Sequence, residues 1–111
     1  MPGQSDIARG NIANQFLLGV PLSPAAVGAN TTAEQTFTVN GLQTTDEVQV
    51  SKPTTQAGLG IVNARVSAAN TLAITFSNNT GGGITPTAGE TYVIAVNRPS
   101  NPQLPLPTAI T

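Results

Sequence analysis

The sequence predicts an all-β fold, a small antiparallel β-sandwich or barrel of Ig-like or jelly-roll-like type with five to seven strands. Three observations carry this. Between residues 33 and 98, short segments alternate apolar and polar residues at the two-residue period of a half-buried strand. Threonine is abundant, and its branched β-carbon packs well on a pleated surface. The 11 glycines and 9 prolines punctuate the segments with turn signals.

Residues 1–32 are expected to form an extended N-terminal arm. There Ile7, Ile12, Phe16, Leu17, Leu18, Val20 and Leu22 are interspersed with Gly10, Gly19, Pro21, Pro24 and Gly28. These breakers oppose a long regular element, although Ala8, Ile12 and Phe16 share the four-residue spacing of a single helical turn. In the body, residues 33–98, "EQTFTVNGL" sets Phe37 and Val39 on one face and Thr36 and Thr38 on the other, and Asn40-Gly41 signals a turn. "DEVQVSK" points Val48 and Val50 inward, and Pro53 ends the strand because it has no ladder donor. "IVNARV" places Val62, Ala64 and Val66 on one face, with Asn63 and Arg65 on the other. "SAAN" turns the chain into "TLAITF", with Leu72, Ile74 and Phe76 inward. After the turn-rich "SNNTGGGITPTAGE", "TYVIAVNR" is apolar on both faces, as in a central or covered strand. Residues 99–111 carry Pro99, Pro102, Pro105 and Pro107 and are expected to be an extended, polyproline-like tail.

Composition narrows the chemistry. Charged residues are only 8% of the chain, against about a quarter in typical domains. The four cations, Arg9, Lys52, Arg65 and Arg98, are scattered, so the clustered positive charge that nucleic acid requires is missing. With no Cys and no His, thiolate chemistry and the commonest general base and metal ligand are absent. Asp46-Glu47 is the one adjacent carboxylate pair, and neighbours on a strand face opposite ways. It reads as a charged strand start that discourages edge pairing. The glycine runs at 58–60 and 81–83 do not open helices and read as turns. Asn30-Thr31-Thr32 and Asn78-Asn79-Thr80 match the glycosylation sequon, but no basic region followed by an apolar one precedes them. No apolar run approaches the roughly 20 residues of a membrane-spanning helix. The expectation is no enzyme, no cofactor, no metal, no small-molecule substrate, and synthesis in a cytoplasm.

A body of this size buries roughly 60% of its chain surface, which leaves stability marginal. The flanking segments carry Phe16-Leu17-Leu18 and Leu104, Leu106 and Ile110, unlike the polar, charged composition of disordered tails. Such segments either fold back on the body or lie on another chain; burying one Leu or Phe contributes about 1.5–3 kcal/mol, and the neighbouring subunit is the favoured site. The candidate partner-binding residues are therefore Ile7, Ile12, Phe16, Leu17, Leu18, Val20, Leu22, Leu104 and Leu106, with Arg65 as an outward strand residue. Arg65 is expected either to pair with Glu47 or Glu90 or to touch another subunit.

The runs "GLQTTDEVQVSKP", "GLGIVNARVSAANTLAITF" and "ITPTAGETYVIAVNR", within residues 38–98, resemble small structural proteins of tailed bacteriophages. The resemblance implies a virion component, most like a capsid decoration (cement) protein. Its partners would be the major capsid protein and copies of itself, as a homotrimer on the capsid exterior. The alternative is a tail-fibre or tail-associated module binding host or glycan. That alternative needs exposed aromatic platforms, and the chain offers only Phe16, Phe37, Phe76 and Tyr92.

Overall fold

Residues 12–100 are described by a computed structural model of the chain, which forms six strands in two three-stranded antiparallel sheets. The strands are β1 (Ile12–Leu22), β2 (Thr31–Thr38), β3 (Glu47–Ser51), β4 (Leu59–Ala68), β5 (Thr71–Asn78) and β6 (Glu90–Pro99). One sheet has the order β1-β6-β3 and the other β2-β5-β4. They remain separate and face each other, so the fold is a sandwich rather than a barrel.

Alternation places the core between them. From β6, Tyr92, Ile94 and Val96 are fully shielded, and from β5 so are Leu72, Ile74 and Phe76. Val48, Val66, Val39, Leu42, Leu22 and Val27 complete the packed cluster. The inner side of β6 is charged at both ends, and each end is closed by an ion pair. Arg98 meets Asp46 at one end (2.7 Å) and Glu90 meets Lys52 at the other (3.0 Å). β3 packs beside β4 and closes one border of the sandwich, whereas β1 and β2 stand further apart along the opposite border.

Two-residue Ala69-Asn70 joins β4 to β5, and Asn70 takes a left-handed φ of 62°, a conformation Asn tolerates. Its side-chain Oδ1 accepts from Gly41 N (2.7 Å), docking this hairpin on the 39–42 turn. Asn40-Gly41 does not make a hairpin, because β2 and β3 lie in opposite sheets and residues 39–46 carry the chain between them. Asn78 is buried, donating to Val27 O and Gly82 O and accepting from Thr80, so its amide organises the glycine-rich loop and is closed to glycosylation.

Three sequence expectations are corrected. Residues 12–22, expected in an extended arm favoured to lie on a neighbour, instead fold back on the body: they form an eleven-residue strand antiparallel to β6, from Ile12↔Pro99 to Leu22↔Glu90. Ile12 and Phe16 are therefore not part of a helical turn. Pro21 is accommodated because β1 is an edge strand, where a missing donor can face away from the ladder. Val62 is 60% exposed rather than inward, because the ladder pairs Ile61 with Phe76 but Asn63 with Thr75. Val62 is the extra residue of a bulge, and Ile61 takes the inward position before it.

Candidate interaction surface

The residues expected to contact a partner divide by face. On β1, Phe16, Leu18 and Val20 turn inward and pack half-buried against the chain's own core, and Leu22 is buried. The period of two aims them between the sheets, and Phe16, Leu18 and Val20 keep part of their surface exposed. Leu17 and Ile12 point outward and stand 71% and 46% exposed. Ile7, Leu104 and Leu106 lie outside the described residues.

Arg65 is outward on β4 and donates from Nε and Nη2 to both oxygens of Glu34 at 2.8 and 2.9 Å. Its partner is therefore Glu34, not Glu47 or Glu90. The pair spans β5 diagonally, since Glu34 is opposite Thr75 and Arg65 opposite Ala73, and Ala73 beneath it is fully shielded. The hydrogen bonds from Arg65 hold the Glu34 carboxyl below the usual carboxylate range.

Of the Asp46-Glu47 pair, Glu47 begins the edge strand β3, while Asp46 turns inward just before it. The Asp46 side chain is fully shielded, accepting from Arg98 Nε and Nη2 and from Gln43 N at 2.9 Å. The Arg98 hydrogen bonds outweigh burial and lower its pKa. Arg98 also donates to Gly41 O and lies over the Phe16 ring, 5.5 Å from its centroid. At the other end of the core, Thr54 Oγ1 donates to Glu90, whose pKa is lowered chiefly by that bond and then by Lys52. Glu47 accepts from Asn97 Nδ2, and Asn97 in turn accepts from Gln15 Nε2, forming a polar ladder across the outer face of β1-β6-β3. Every charged side chain among the described residues thus has a partner within the chain. Sequence reasoning missed these assignments because each joins groups 31 to 52 positions apart.

Among the described residues no three Asp or Glu converge, and no helix is long and apolar enough to cross a membrane. Phe76 and Tyr92 are fully shielded and Phe16 and Phe37 half-buried, so no aromatic ring offers an exposed platform. An open groove of about 450 Å³ lies at the corner where β1 begins and β6 ends, lined by Ile12, Thr44, Asp46, Glu47, Asn97 and Pro99. At this corner Ile12, the first described residue, pairs with Pro99 near the last. In comparisons with known proteins, no family model, curated protein or solved structure matches the chain.

Proposed function

We propose that the chain is a virion structural protein, a capsid decoration (cement) protein that binds the outside of the major capsid shell and reinforces contacts between its subunits. The observation that carries this reading is where the described strands end and how their charges are used. Ile12 and Pro99 pair at one corner of a sandwich whose described charges are internally engaged. The partner is then held by uncharged surface and by apolar residues of the flanks, Ile7, Leu104 and Leu106 among them. Reinforcement is mechanical: each flank laid across a capsomer boundary adds buried area that opposes outward pressure from packaged DNA. The resemblance of residues 38–98 to phage structural proteins supports the same assignment. The tail-fibre alternative has no exposed aromatic platform to support it.

Quantitative mass spectrometry of purified virions should find the chain at a copy number comparable to that of the major capsid protein. A version trimmed to residues 12–100 should fold but lose binding to undecorated shells. Absence from virions, a copy number matching a tail component, or full shell binding by the trimmed chain would overturn the proposal.

A further inference from the structure

The four sheet edges are not alike. β3 is only five residues long and begins with Glu47; β2 carries Glu34 near its centre; β4 carries Arg65 and two register breaks. Short length, charge and bulges are the devices that discourage strand addition at an edge. β1 is eleven residues long and has no charged side chain. Among the described residues no strand lies along its outer edge. The same border is where the sandwich stays partly open, with Phe16, Leu18 and Val20 of β1 and Phe37 of β2 only half-buried.

We propose that this edge pairs with β1 of a second copy, antiparallel about a two-fold axis through Leu17, joining two three-stranded sheets into one of six strands. The register follows from the strand itself. A break in the β1–β6 ladder between Ile12 and Asn14 limits regular pairing at one end, and Pro21, which has no N–H, limits it at the other. The segment left is 14–20, and its centre is Leu17. A two-fold pair about that centre sets Phe16 against Leu18 of the other copy and Asn14 against Val20, with inward side chains remaining inward on both. The half-buried Phe16, Leu18 and Val20 of the two copies then adjoin one another along a shared border. On the outer face Leu17 meets Leu17 of the second copy, which accounts for the exposure of so large an apolar side chain at the strand's midpoint. Identical strands are compatible across a two-fold axis because neither brings a charge against its own kind. This contact rests on the sandwich alone and is independent of the virion assignment. Being isologous, it builds even-numbered assemblies, and any three-fold contact would use another surface.

The full chain contains no Cys, so Leu17→Cys introduces a single thiol. Directly opposed residues of an antiparallel pair have Cα atoms about 4.5–5.5 Å apart, within disulfide range. Sedimentation of the unmodified chain should give a dimer, and mild oxidation of Leu17→Cys should yield a covalent dimer at least ten times faster than Val62→Cys, a comparably exposed control. Leu17→Lys should weaken dimerisation at least tenfold with an unchanged circular dichroism spectrum. The proposal is overturned by a monomer at all concentrations, the result if the chain's own flanks cover the edge. It is equally overturned by equal cross-linking of the two cysteine variants, or by an assembly whose mass Leu17→Lys leaves unaltered.

Discussion

At the scale of single residues, the two ends of β6 show how few groups hold the sandwich closed. Asp46 accepts three hydrogen bonds, two of them from Arg98, and its side chain is shielded from water. Removing it leaves Gln43 N and the Arg98 guanidinium without that partner and frees the 41–46 turn from the end of β6. Asp46→Ala is expected to cost about 2 kcal/mol, since hydrogen bonds to charged groups contribute roughly 1.5–3 kcal/mol. In a domain of this length that lowers Tm by roughly 10 °C, readable by calorimetry. Tyr92 offers the opposite case. Its ring is fully shielded, its Oη finds no hydrogen-bond partner among the described residues, and burial, with the charge on Glu90, raises its pKa. Tyr92→Phe keeps the ring and removes the orphaned hydroxyl, so stability should hold or rise by up to about 1 kcal/mol. A loss of that size in denaturant unfolding would mean the hydroxyl is bonded after all.

At the scale of elements, the strands with clean alternation were legible, while β1 and the bulge were not. "TFTV", "EVQV" and "TLAITF" each state their inner face directly, and Phe37, Val48 and Ile74 all point inward, while "TYVIAV", apolar on both faces, announced only a central strand. β1 was obscure because its evidence lies on β6: Phe16 pairs with Val96, some 80 positions on, and no local pattern announces that ladder. Arg98 and Asp46 were equally hidden, since composition does not disclose which distant groups meet. In β4, Val62 fits the alternation of Ala64 and Val66, yet the bulge turns it outward while Val66 stays 7% exposed. The two valines should therefore respond differently. Val62→Ala is expected to change stability by less than about 0.5 kcal/mol, as surface substitutions do. Val66→Ala should cost roughly 2 kcal/mol, from two lost methyl groups and the cavity left behind. Equal losses in urea titrations would place Val62 in the core and remove the bulge.

At the scale of the whole molecule, the placement of charge determines how stability depends on pH. The sandwich has an apolar middle, an ion pair at each end of its core and a third pair across the outer face of β2-β5-β4. The carboxyls of Asp46, Glu34 and Glu90 are all held low, first by hydrogen bonds from Arg98, Arg65 and Thr54 respectively. A carboxylate whose folded pKa lies below its unfolded value contributes stability that is fully present above the unfolded pKa. That contribution is lost as pH falls through the folded pKa. All three therefore act in the same direction, and the loss begins near the ordinary carboxylate range of about 4. Asp46 dominates it, because its shielded side chain is the least screened, whereas the exposed Glu34–Arg65 pair adds little. Above that range no histidine is present to titrate. The melting temperature should be flat between about pH 5 and 8 and should fall steeply below about pH 4. In Asp46→Ala the acid limb should become shallower, because the largest single contribution to it is gone. A wild-type Tm that still climbs between pH 5 and 8, or an acid limb unchanged in the variant, would show that the end-capping pairs do not govern the sandwich's response to acid.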